Sequence, residues 1–280
     1  MNETFWTHTI WYILLGVITC ISLAIGLLKA DNPKKAFAFF LIISGAALHF
    51  ETLILIYFKS YVYYPEILPH PPFAFDDSLA GNLFSQSSIG ASTLLVTVFN
   101  LNFYGIWLIV AAYAGLEEAF LALGIYRHHW YKTWMTVLAL FLLFWTAKIL
   151  YRKLRPESPP ILYYACIYSA LFPLHVIILG WGIFVLFRIQ DFNTTLFSDP
   201  FYSRHFLFLI QFWLLAFPIM YLHFRKIRWI WQAPVILLLY AGFYLGDKFH
   251  LFLIRDGWPW FWIVSTVSIA WMYAAVVLMD

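Results

Sequence analysis

The sequence predicts an all-α integral membrane protein, a bundle of about nine transmembrane helices with the N-terminus outside and the C-terminus inside. Three observations carry that expectation. Of 280 residues, 63% are hydrophobic and only 11% charged, and apolar runs recur at roughly 20 residues, the length that crosses a hydrocarbon core of about 30 Å. Lys and Arg gather in alternate connections, as they do in cytoplasmic loops. Aromatic residues reach 22%, more than interfacial belts require, so some of them should line interior surfaces.

Charge, Pro and Asn bound nine spans: Thr9–Leu28, Ala36–Phe58, Leu79–Phe99, Phe103–Ile125, Thr133–Leu150, Ile161–Phe187, His205–His223, Trp231–Ile254 and Pro259–Met279. The first lacks the basic lead-in of a secretory signal and is read as a retained helix. The second leads into Lys59–Ser78, where Pro65, Pro69, Pro71, Pro72 and Asp76-Asp77 read as a semi-rigid extracytoplasmic loop or lid. The third contains Ser85-Gln86-Ser87-Ser88, Ser92, Thr93 and Thr97, which fits a polar helix shielded by its neighbours, or a re-entrant segment that would leave eight spans. Keeping it makes the charges agree. Lys29, Lys34 and Lys35, then Lys148, Arg152, Lys153 and Arg155, then Arg225, Lys226 and Arg228 all follow odd-numbered spans. Glu3, Glu66, Asp76, Asp77, Asp191, Asp199 and Asp256 collect on the opposite side. The whole chain, 1–280, reads as one polytopic membrane domain.

Four spans carry ionisable residues at a similar depth: His49 and Glu51, Glu117 and Glu118, His175, and Asp247, Lys248 and His250. A charge in hydrocarbon costs at least about 2.5–3.5 kcal/mol, so such a layer points to function. Glu117 stands about eight residues, or roughly 12 Å, from the outer end of its span. Glu51, Glu117 and Asp247 are each followed 13 residues later by an aromatic residue, Tyr64, Trp130 and Trp260, which reads as a faint repeat of helix pairs. Small residues precede the acids, at Ser44-Gly45-Ala46-Ala47, at Ala111, Ala112, Ala114 and Gly115, and at Gly242-x-x-x-Gly246. They allow close helix approach and a bundle pinched on the cytoplasmic side.

Glu118, Asp247, Glu51 and Glu117 are the candidate catalytic groups; His49, His175, His250 and Lys248 are the candidate ligand contacts. Glu117 and Glu118 lie about 100° apart on a helix, so one can face a cavity as a general acid while the other pairs with a base such as Lys248. Asp247 and His250 are spaced i, i+3, as in helical carboxylate metal sites, and Glu118 and His175 could complete a divalent-metal set, although only one such pair is present and Lys248 would oppose a cation. Pro173 should kink its helix and aim His175 inward. His128 and His129, beside Trp130 and Trp134, read as interfacial anchors. Cys20 and Cys166 read as small buried hydrophobes. Gln86 and Gln211 could donate to the acidic layer, and Asn2-x-Thr and Asn193-Thr-Thr fit the glycosylation pattern.

A formal charge of +3, scattered through loops, disfavours nucleic acid as a partner. No phosphate-binding glycine loop, nucleophile elbow or zinc-protease helix occurs, which disfavours nucleotide-driven activity. The partners expected are membrane lipids and a lipophilic ligand; no cofactor is named by the sequence beyond the divalent metal just weighed. Three classes follow: an enzyme or binder that performs acid/base conversion of a lipophilic small molecule, with Glu118 and Asp247 as acid and base; a proton- or cation-coupled transporter; and a structural or sensory protein whose polar layer only fixes packing.

The stretch Glu117–Trp134, with Leu123-Gly-Ile-Tyr-Arg-His-His-Trp-Tyr-Lys-Thr-Trp, and the stretch Asp247–Trp262, with Arg255-Asp-Gly-Trp-Pro-Trp-Phe-Trp, resemble segments of small uncharacterised polytopic membrane proteins of spore-forming Gram-positive bacteria. That resemblance covers a small part of the chain. It implies a bacterial plasma-membrane location and no particular activity. The acid layer is also similar in style to membrane carotenoid cyclases, in which carboxyls protonate a polyene, although no diagnostic motif of that group occurs.

Overall fold

The computed structural model describes residues 4–68, 71, 74–154 and 159–280, with backbone alone at 74–75. Asn2, Glu3, Pro69, Pro72 and Arg155 lie outside the described residues. The described residues form nine α-helices: α1 Ile10–Lys29, α2 Pro33–Glu51, α3 Ala74–Val98, α4 Phe103–Ala122, α5 Thr133–Lys153, α6 Pro160–His175, α7 Pro200–Phe224, α8 Trp229–Lys248 and α9 Trp258–Met279. Eight helices are long and apolar enough to cross a membrane, so the chain has the architecture of a multi-pass membrane protein.

The exception is α3. It is one continuous helix of 25 residues, and no residue from Asp76 to Val98 is exposed. Its Ser78, Ser88, Thr93 and Thr97 are buried against protein, which is where polar membrane-depth residues are tolerated. Glycines bring its neighbours close. A Cβ on Gly16 or Gly26 of α1 would lie 2.6–2.8 Å from Phe84 or Leu94, and one on Gly90 would meet Ser44 of α2 at 2.1 Å. The small residues of α4 do not act this way: Ala111, Ala112 and Gly115 are exposed.

Two features depart from an all-helical expectation. Short antiparallel ribbons are present, β1 Tyr61–Tyr63 with β2 Tyr126–His128, and β3 Gln190–Phe192 with β4 Phe252–Ile254. Helical runs also widen to π geometry at Thr52–Tyr57 and Val176–Leu186, immediately after Glu51 and His175.

These features disclose a repeat. The series α2, π-stretch, β1, α3, α4, β2, α5 recurs as α6, π-stretch, β3, α7, α8, β4, α9. Ala74 and Pro200, Phe103 and Trp229, and Tyr126 and Phe252 open equivalent elements, each pair 126 residues apart. The turns match as well. Positive φ falls at Asn100 and Lys226 after α3 and α7, and at Gly124 and His250 after α4 and α8. In each case the next N–H reaches back five residues: Leu101 to Val96, Ile227 to Leu222, Ile125 to Phe120 and Leu251 to Gly246. Those are four Schellman caps, each ending its helix with one residue in the left-handed conformation. The register differs from the 13-residue pattern read in the sequence, because Glu117 corresponds to Phe243 and Asp247 corresponds to Leu121.

By contacts the chain divides into two compact units, Met1–Ala170 and Leu171–Asp280. In the first, α3 packs against α1, α2 and α5, and the base of α2 and α5 is sealed by Ala36, Phe39, Ile43, Leu94 and Ala147. In the second, α7 packs against α9, α8 and β3, burying Phe212, Leu215, Ala216 and Ile219.

Candidate functional site

The first unit contains a cavity of about 690 Å³, within the range of small-molecule sites. Its roof is the ribbon β1–β2. Alternation along each strand puts Tyr61 and Tyr63 on the same face of the ribbon as Tyr126 and His128, with Tyr61 opposite His128 and Tyr63 opposite Tyr126. The Tyr63 and Tyr126 rings stack at 5.0 Å, and Tyr61 packs on Tyr126 and Tyr131 at 5.3 and 4.9 Å.

Glu51 ends α2 below this roof and is 5% exposed. Its Oε1 accepts from the Tyr61 hydroxyl and, at 2.8 Å, from Gln86 Nε2 of α3. Its Oε2 is buried, has no hydrogen-bond partner and belongs to a residue that lines the cavity.

Glu117 of α4 lines the same cavity. Its Oε1 lies 2.6 Å from His128 Nε2, and the two side chains are 9% and 11% exposed. His128 therefore points inward to an acid, which corrects its reading as an interfacial anchor; the adjacent His129 is exposed and reaches the Lys59 carbonyl. His128 also borders an open hollow of about 670 Å³ with His8, Glu66 and Arg127. The pair thus stands between the cavity and this hollow.

Burial pushes the phenols of Tyr61 and Tyr63 well above the usual range, and the nearby Glu51 carboxylate pushes them further. Burial likewise raises Tyr126, with Tyr63 and Glu117 contributing next, and holds Tyr131 at about 12. The roof is consequently a set of neutral phenols at any ordinary pH. Deeper in the cavity, Tyr113 is held by Ser88 and Ser92 at 2.8 and 2.9 Å.

The mouth lies between α2 and α5. Ala46 and Phe50 on one side, and Trp134, Leu138, Leu142 and Thr146 on the other, both line the cavity and are exposed. Their four-residue spacing places each set along one helix face. The opening is apolar and sits along the sides of two candidate spans.

The remaining predicted residues are placed elsewhere. Glu118 is exposed and accepts from the Thr133 hydroxyl, pointing away from Glu117 as adjacent helical positions require. His49 is half-buried, with Nδ1 2.8 Å from the Gly45 carbonyl and Nε2 3.4 Å from the Tyr168 hydroxyl, and does not line the cavity. The other four residues belong to the second unit. His175 is fully buried between Phe208 and Phe212, and neither ring nitrogen has a hydrogen-bond partner. Asp247 is half-buried at the end of α8, where Oδ1 accepts from the Ile254 N–H. Lys248 and His250 are exposed. Because α8 ends at Lys248 and His250 takes a positive φ, Asp247 and His250 share a turn rather than a helix face, and the i, i+3 metal pairing is not formed. Among the described residues no group of three or more His, Cys, Asp or Glu is gathered to hold a metal ion.

The roof itself went unread in the sequence. Its signal is the two-residue alternation Tyr61-x-Tyr63 and Tyr126-x-His128 beside an intramembrane acid. Comparison with protein-family models, with curated proteins and with solved structures found no match to this chain.

Proposed function

We propose that the first unit binds a lipophilic small molecule drawn from the membrane through the mouth between α2 and α5, and that Glu51 is the group that meets it, as hydrogen-bond partner or proton-exchanging acid. The bare Oε2 of Glu51 carries this reading. A buried polar atom without a partner is destabilising by about 1–3 kcal/mol, a penalty relieved when a ligand supplies the donor. The apolar rim of Phe50, Leu138 and Leu142 suits an occupant arriving from hydrocarbon rather than from water. Glu117, Tyr61, Tyr63 and Gln86 complete the contact set. With the basic connections on the cytoplasmic side, the ribbon roof lies at the outer face and the cavity in the outer half of a bacterial plasma membrane.

A transport role has one supporting observation, the contact of Glu117 with His128 between cavity and surface hollow. Native mass spectrometry of the purified protein and its Glu51→Gln variant tests the main reading. The expected result is a lipid-sized mass on the wild-type chain that is lost from the variant. A wild-type chain that carries no bound mass, or a variant that carries the same mass, would sink it.

A further inference from the structure

We infer that the cavity selects a lipophilic amine: an apolar chain ending in a protonated nitrogen. The inference rests on the cavity reading above and adds the charge of the occupant. Two carboxyl residues, Glu51 and Glu117, line the space, and among the described residues no Lys, Arg or His lines it. Glu117 already faces His128. Glu51 has only neutral donors, Tyr61 and Gln86, on one oxygen and nothing on the other. Of the two basic residues of the roof, His128 is taken up by Glu117, and Arg127 lies between Tyr126 and His128 on the opposite face and is exposed.

An anionic occupant, such as a fatty acid or a phosphate, would meet a carboxyl with no compensating cation. An alcohol would satisfy Oε2 with one neutral hydrogen bond. An ammonium group satisfies it with a charge-assisted bond, roughly twice as strong as a neutral one. The roof adds to the preference. Tyr61, Tyr63 and Tyr126, with Trp134 at the mouth, present aromatic rings to the same space, and ring faces attract desolvated cations. The apolar chain then lies toward Leu138 and Leu142, at the opening.

The test uses three probes of one chain length: dodecylamine, dodecanol and dodecanoate. Each is titrated into the intact protein in a neutral detergent near pH 7, with binding followed by tryptophan fluorescence and by thermal unfolding. The expected result is an apparent Kd for dodecylamine at least about tenfold below that of dodecanol, an advantage of the size a desolvated cation over an aromatic face provides, with dodecanoate weakest. The Glu51→Gln variant should bring amine and alcohol within about threefold, because the carboxyl that can form an ion pair with the ammonium is gone and the amide NH2 put in its place cannot accept from an ammonium. The wild-type comparison needs no variant and stands if Glu51→Gln does not fold. Equal affinity for amine and alcohol overturns the charge inference and leaves the lipophile reading intact. Failure of all three probes, together with the absence of a bound native mass, overturns both.

Discussion

The bond between Tyr61 and Glu51 fixes the roof to α2, and a double-substitution cycle on it makes a prediction with an unusual sign. In the wild-type chain Glu51 Oε1 accepts from both Tyr61 and Gln86. Tyr61→Phe removes one donor and leaves the acceptor satisfied by Gln86, so the loss is that of one net hydrogen bond, about 0.5–1.5 kcal/mol. Glu51→Leu keeps the volume but strands the Tyr61 hydroxyl and the Gln86 amide in a dry site, at about 1–3 kcal/mol each. In that background Tyr61→Phe removes a stranded hydroxyl and should return about 1–3 kcal/mol. The same substitution therefore destabilises the wild type and stabilises the Glu51→Leu chain. The coupling energy is the difference, about 1.5–4.5 kcal/mol, well outside the roughly 0.3–0.5 kcal/mol within which independent sites add. Unfolding in mixed micelles, followed by fluorescence from the 14 tryptophans, measures all four corners. A Tyr61→Phe effect of the same sign and size in both backgrounds would refute the geometry of the site.

Two glycines should respond in opposite directions to alanine. A Cβ on Gly81 would lie 2.8 Å from Tyr63 Cβ and 3.0 Å from the Tyr12 ring, so Gly81→Ala should destabilise by about 1–3 kcal/mol through overpacking and disturb probe binding. Gly115→Ala meets nothing within 4 Å and should stabilise by up to about 1 kcal/mol by helix propensity alone; micelle unfolding of both variants checks the contrast. The roof tyrosines set an alkaline limit. Tyr131 keeps its proton to about 12 in the folded chain, against about 10 when unfolded. Folded protein therefore binds that proton more tightly, and the stability it contributes is complete below about pH 10 and lost as pH rises through 12. Thermal unfolding from pH 9 to 12 should decline less steeply in Tyr131→Phe than in wild type, and parallel curves would contradict the assignment.

The helical spans were legible because their signal is local: a run of apolar residues of bilayer length bounded by charge or Pro states its own structure. The acid pair Glu51 and Glu117 was legible for a related reason, since an ionisable residue in such a run stands out against its neighbours. What the sequence hid was direction. Glu118 and Glu117 are adjacent in the chain, yet Thr133 takes one outward and the cavity takes the other. Depth along a span placed Asp247 and His250 with the acids, but a Schellman cap ends α8 between them and turns a shared helix face into a surface turn. The ribbons were hidden because three residues cannot establish a period. His128, followed by His129 and Trp130, has the composition of an interface and the geometry of a site.

The repeat lets the two ribbons be compared position by position. Where the first ribbon pairs Tyr63 with Tyr126, the second pairs Phe192 with Phe252; where the first sets Tyr61 opposite His128, the second sets Gln190 opposite Ile254. Phe243 stands at the position of Glu117. Each phenol or acid of the first roof is thus met by an apolar or neutral side chain in the second. The second ribbon packs shut, with Phe192 edge-on to both Phe208 and Phe252 at 6.0 and 5.8 Å. The second unit buries polar groups too, but pairs them: Gln211 Nε2 donates to Gln190 Oε1 at 3.1 Å and Arg204 Nε to Asp191 Oδ1 at 3.2 Å, as polar groups away from water require. His175 is buried with neither ring nitrogen hydrogen-bonded. It lies next to the start of the second π-stretch, as Glu51 does in the first, but aromatic rings enclose it, and it faces Phe208 and Phe212 instead of a cavity. The same helical break that presents a carboxyl to a cavity in one unit encloses an imidazole in the other, and the ribbons differ accordingly: tyrosines line the cavity in the first, phenylalanines pack on one another in the second.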